Sequence, residues 1–105
     1  MKLSAKSLER LTEIITGNTN VSPYRSGPQL IEFFYDYGER DLYGEGFPAR
    51  AAYTLEKLKK FNGTETMKRI VCAAFDFWDE PDGNPENEAR QFNRVLSRDG
   101  YRLVI

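Results

Sequence analysis

The chain has no histidine, a single cysteine and no long apolar run, and each shortage removes a class of function. Without histidine there is no usual general base, no Ser-His or Cys-His nucleophile pair and no His-containing zinc site. Cys72 cannot form an internal disulfide, and between Val71 and Ala73 on an apolar helix face it reads as inert core filling. No window approaches the ~20 consecutive apolar residues of a membrane-spanning helix, and "MKLSAKSLER" lacks the apolar stretch of a signal peptide. A reducing, cytoplasmic setting away from membranes is the expectation. An excess of either charge is missing too. The 15 Lys and Arg against 16 Asp and Glu give a net −1, so no global field draws in nucleic acid or anionic lipid.

The glycine-rich and acidic stretches that are present carry no recognisable cofactor chemistry. "YGEGFP", from Tyr43, has glycines two apart, follows no strand and lacks the third glycine or the Lys-Ser/Thr pair of a nucleotide loop, so it reads as a turn. The acidic run "DFWDEPDGNPENE", from Asp76, fails the spacing of a calcium loop and reads as a solvated loop leading into a charged first helical turn. No metal site and no cofactor are expected. A domain this small also has little room for a substrate cleft between two carboxylates, and the expectation is a protein that is not an enzyme.

At 105 residues the chain is long enough for one core, hence one domain over 1–105. Capping and periodicity mark five short helices. The first is capped by Ser4, with Leu3 and Leu8 at staple positions, a stripe of Leu8, Leu11, Ile14 and Ile15, and a stop at Gly17. Ser26 and Gln29 have capping-box spacing, with Pro28 in the first turn and Leu30, Phe33, Phe34 and Tyr37 on one face up to Gly38. After a loop from Glu39 to Phe47, Pro48 opens a third helix that points Ala52, Leu55, Leu58 and Phe61 inward and closes at Asn62 and Gly63. Thr64 caps a fourth, with Met67, Ile70, Val71, Ala74 and Phe75 inward. Asn84 and Pro85 open a fifth, carrying Ala89, Phe92, Val95 and Leu96. "YRLVI", Tyr101 to Ile105, has strand composition. The expected fold is a mostly α, compact bundle of about five short helices with a short C-terminal β-strand. A lone strand leaves its ladder unpaired, so either the chain continues in nature or the strand pairs with a second copy in a homo-oligomer.

Two sets of residues are candidates for binding. Tyr24, Arg25, Ser26, Tyr43 and Arg50 sit in loops or first turns beside helix N-termini, where backbone N–H groups and arginine suit an anion or a partner carboxylate. Arg50 opposes the dipole of its own helix, so it calls for a carboxylate or a ligand, and Asp36 and Asp41 are the nearby carboxylates for a purely structural lock. Arg90, Arg94 and Arg98 line one ridge of the fifth helix and are the alternative, a nucleic-acid-binding surface, although Glu86 partly neutralises Arg90.

The order "LTEIITGN", "SPYRSGPQLIEFF", "YGEGFPAR", "YTLEKLKKFNGT" and "FNRVLSRDGYRLV" resembles the N-terminal domains of AbiJ-like bacterial abortive-infection proteins over nearly the whole chain. The resemblance implies a sensor or regulatory module of antiviral defence that precedes an effector, often a ribonuclease carrying an Arg-His motif. A chain without histidine cannot contain that motif, so the resemblance implies the recognition half, with an adjacent effector domain or another protein as its partner.

Overall fold

The computed structural model describes residues 1–104. Five helices run in order: α1 (Ala5–Thr16), α2 (Gly27–Tyr35), α3 (Arg50–Phe61), α4 (Thr66–Ala74) and α5 (Pro85–Leu96), followed by one 3₁₀ turn (Ser97–Asp99). The radius of gyration, 13.1 Å, is that of a compact body of this length, for which about 13 Å is expected.

α1 is the central element because both its ends are tied and its apolar stripe is fully buried. The Ser4 hydroxyl accepts from the Ser7 N–H at 3.3 Å, and Leu3 and Leu8 close the staple beneath it. The Asn62 side chain accepts from the Leu3 N–H at 2.7 Å and donates to the Leu3 carbonyl at 3.0 Å, joining the start of α1 to the end of α3. Leu11, Ile14 and Ile15 then pack among α3, α4 and α5, where they meet Leu58, Met67, Ile70, Phe92 and Leu96 in one core. The C-terminus stops at Gly17 in the left-handed region, φ 73°. A Cβ there would lie 2.4 Å from the Pro23 carbonyl oxygen, so the loop folds back over a position that only glycine fills.

α2 keeps the expected capping box, with Ser26 and Gln29 bonded reciprocally at 2.8 and 3.3 Å, and ends at Tyr35, with a turn carrying the chain on to Gly38. The aromatic crowding around it is packing. Ring centroids 4.8 to 6.4 Å apart run from Tyr43 through Phe47, Tyr53, Phe34, Phe33 and Tyr37 to Phe61. These edge-on and tilted pairs are the arrangements ring quadrupoles favour.

Several expectations need correction. No β-strand is present among the described residues. Tyr101–Val104 has no regular secondary structure, and the Asn93 side-chain amide donates to the Leu103 carbonyl and accepts from its N–H, both at 2.8 Å, in place of a neighbouring strand. Ile105, the last residue of the expected strand, lies outside the described residues. α3 begins at Arg50, two residues after Pro48, and buries Tyr53, Thr54 and Leu58 while Ala52 is exposed. The helix is rotated because Tyr53 packs on Phe34 and Phe47 and still needs a partner for its hydroxyl. Thr64 does not cap α4, because its hydroxyl donates back to the Phe61 carbonyl at 2.6 Å. Cys72 is exposed, since Met67, Ile70, Val71 and Ala74 already define the inward face of α4.

Gly17→Ala should lower the unfolding free energy by more than about 2 kcal/mol, combining left-handed strain with a backbone clash. Gly63, also at positive φ but with open space around it, should cost only about 1 kcal/mol when changed to Ala. Urea denaturation of the two variants checks the contrast.

Candidate functional site

An α-helix leaves its last carbonyls without partners, and the way α1 satisfies them builds the predicted site. The Glu13 carbonyl accepts from the Gly17 N–H at 3.0 Å, and that of Ile14 from the Ser22 hydroxyl at 2.7 Å. The Ile15 carbonyl accepts from Arg25 Nη1 at 2.9 Å. The Thr16 carbonyl accepts from the Arg25 backbone N–H at 3.2 Å and from Arg50 Nη2. Arg50 further donates from Nε to the Arg25 carbonyl at 2.7 Å and from Nη1 to the Asn18 side chain at 2.6 Å. Its guanidinium lies over the Tyr24 ring, 3.9 Å from the centroid. A cation at the start of α3 opposes that helix's dipole, but here it occupies the negative end of α1, which reverses the sign of the effect.

The expected Arg–Asp lock is therefore absent, and the carbonyls of α1 take its place. Asp41 instead binds Lys57 at 2.7 Å and the Tyr53 hydroxyl at 2.9 Å, while Asp36 is exposed and in no ion pair among the described residues. Arg25 lies 4.6 Å from the Phe33 ring centroid, and burial lowers its pKa from the ordinary value, against the opposing pull of Tyr37 and Glu80. Ser26 is the helix cap. Tyr43 lies against Gly27, where an added Cβ would come within 2.2 Å of its Cε1. Tyr24 and Tyr43 remain 63% and 59% exposed, so of the five candidates the two tyrosines are the ones that face solvent. Arg90, Arg94 and Arg98 stay exposed, but only Arg90 and Arg94 lie on α5: the helix ends at Leu96 and Arg98 falls in the 3₁₀ turn, so the expected ridge is two residues long, with Arg90 3.7 Å from Glu86.

Beside the Tyr24–Arg25 corner, a groove of about 490 Å³ separates α2 from the loop that follows α4. Gln29, Glu32 and Asp36 form one wall, Asp76, Asp79 and Glu80 the other, and Phe33 and Phe77 contribute apolar surface. None of its five carboxylates forms an ion pair among the described residues. No group of three or more His, Cys, Asp or Glu among the described residues is arranged to hold a metal ion. Sequence reasoning missed this groove. The spacing of Gln29, Glu32 and Asp36 marks one face of α2 away from Leu30 and Phe34, which was a usable signal; their meeting with Asp76–Glu80 is tertiary.

On another side, Glu39 is buried between Lys57 at 2.9 Å and Lys60 at 2.8 Å, pinning the start of the 39–49 loop to α3. Hydrogen bonds from Lys60 and Lys57 hold its carboxyl below the usual range, and those from Lys57 and Tyr53 do the same for Asp41. Burial, with the Asp41 hydrogen bond second, pushes the Tyr53 phenol well above its usual value. No helix among the described residues is long and apolar enough to cross a membrane. Against this fold and groove, comparison with known protein families, with curated proteins and with solved structures found no match.

Arg50→Met should destabilise by about 2–3 kcal/mol, since it leaves the Arg25 carbonyl and the Asn18 side-chain oxygen without a donor and removes one of the two on the Thr16 carbonyl, whereas Arg90→Met on the solvent face should stay within about 0.5 kcal/mol. Chemical denaturation followed by circular dichroism distinguishes them. The lowered Glu39 pKa means its contribution is complete above the ordinary carboxylate value and is lost as pH falls through the folded-state value. Glu39→Gln should therefore be less stable at neutral pH and show a flatter loss of melting temperature on acidification below about pH 4.5. Melting curves across that range measure it.

Proposed function

We propose that this chain is a non-catalytic recognition domain that docks an effector domain or a separate protein partner through the groove between α2 and Asp76–Glu80. The observation that carries this reading is a formed groove whose five carboxylates form no ion pair among the described residues. Arg25, Arg50 and Ser26 hold the backbone in place around it. Tyr24 at the rim supplies the amphipathic ring that interface anchors favour. The phage-defence setting rests on the sequence resemblance to AbiJ-like N-terminal domains, with the domain acting as the sensor or regulator of an effector. The nucleic-acid reading keeps one supporting feature, the exposed Arg90 and Arg94 on α5 with Arg98 in the turn after it.

The experiment is a phage plating assay in cells expressing the native gene. Tyr24→Ala combined with Asp79→Ala should reduce protection at least about tenfold, the effect of losing an interface anchor, while protein level and melting temperature hold. Unchanged protection would overturn the docking role of the groove. Loss of protection on replacing Arg90, Arg94 and Arg98 with Gln instead would promote the nucleic-acid reading.

A further inference from the structure

The groove has a chemistry specific enough to name its occupant. Six acidic side chains elsewhere find cations, among them Glu39 and Asp41 on lysines and Glu13 and Glu88 beside Arg10, while Glu9, Glu45, Glu56 and Asp82 are single acids in no ion pair among the described residues. In the groove five carboxylates from two facing elements are left with one guanidinium. That guanidinium, Arg25, is already committed to the Ile15 carbonyl and the face of Phe33. The five side chains are exposed, so water and salt screen their mutual repulsion, and a basic group entering between the two walls exchanges that repulsion for attraction. The apolar surface of Phe33 and Phe77 between the walls suits an aliphatic stem, which lets a long basic side chain lie flat while its head reaches the carboxylates. Tyr24 already carries one guanidinium on its ring, and its remaining exposed surface offers a second cation–π position at the rim.

We infer that the occupant is a short basic segment of the partner protein, with arginine or lysine side chains entering between Glu32 and Asp79–Glu80. This rests on the reading of the groove as a docking surface and adds the partner's chemistry. At about 490 Å³ the space takes a few side chains and not a folded domain. Phosphate-bearing partners are repelled from it by the same carboxylates.

The test is an amide chemical-shift titration of the full chain with three probes: amidated penta-arginine, penta-serine and penta-glutamate. Penta-arginine should shift the amides of Tyr24, Arg25, Glu32–Asp36 and Asp76–Glu80, with affinity falling as salt rises. Glu32→Gln with Asp79→Asn and Glu80→Gln, all exposed positions, should weaken it at least about tenfold, as loss of an ion-paired contact does. Glu45→Gln with Glu56→Gln, exposed acids beside Asp41 and Phe47, should leave it unchanged. Equal weakening by both sets means diffuse charge attraction and overturns the inference. If penta-serine or penta-glutamate moves the groove amides and penta-arginine does not, the docking surface stands and the basic occupant falls. If no probe moves them, both fall. Concentration-dependent shifts at the groove and at Arg90–Arg98 without any probe would assign the groove to a second copy of this chain and overturn the inference.

Discussion

The fold depends on how the C-terminus of α1 is closed. A buried helix end must find donors for its last carbonyls, and here the donors come from three separate segments: the loop after α1, the entry to α2 and the first turn of α3. Each donor fixes more than a hydrogen bond. Arg25 immediately precedes the cap of α2, so its backbone and side-chain bonds to α1 set where α2 begins. Arg50 is the first residue of α3, so its bonds to Thr16, Asn18 and Arg25 set where α3 meets α1. Gly17 makes the arrangement reachable, because the returning chain passes within bonding distance of where a side chain would stand.

That closure also separates structural from available groups. Arg25 and Arg50 looked like ligand-seeking cations, yet Arg50 donates to backbone oxygens and an amide, Arg25 gives Nη1 to a backbone oxygen, and both lie on aromatic faces. The 39–49 loop shows the same economy, with Glu39 and Asp41 consumed by Lys57, Lys60 and Tyr53. The groove carboxylates differ from these two in forming no ion pair among the described residues, and from the other unpaired acids in being gathered on two facing walls. The chain's near-neutral total charge hides a local field, and the local field is what a partner meets.

What was legible in the sequence was local. Ser4, the Ser26–Gln29 box, Gly17, and Asn84 with Pro85 were readable because a cap bonds residues three or four positions away. The stripes of α1, α4 and α5 were readable because large apolar residues recur along them at helical spacing, although Ser7, Thr12 and Thr16 of α1 and Glu88 of α5 are buried beside them. α3 was misphased because its inward face includes a tyrosine and a threonine, whose hydroxyls are satisfied by Asp41 and by the Arg50 carbonyl. The tail was misread because its ladder partner is one side chain, and strand composition cannot tell an asparagine amide from a neighbouring peptide group. The partners of Arg50 were out of reach for the same reason: carbonyls have no letter of their own. Half of the groove lay in the α2 periodicity, and the other half required knowing where Asp76–Glu80 folds.

The line of aromatic rings from Tyr43 to Phe61 has a consequence for thermodynamic bookkeeping. Each ring touches the next, so a truncation anywhere along it changes the cavity its neighbours see. Free-energy changes at Phe47, Tyr53 and Phe34 are not independent quantities, and the effect of a double substitution is not the sum of two single ones. A surface tyrosine and a phenylalanine at the far end of α3 thus belong to one energetic unit, whose value is defined only for the set.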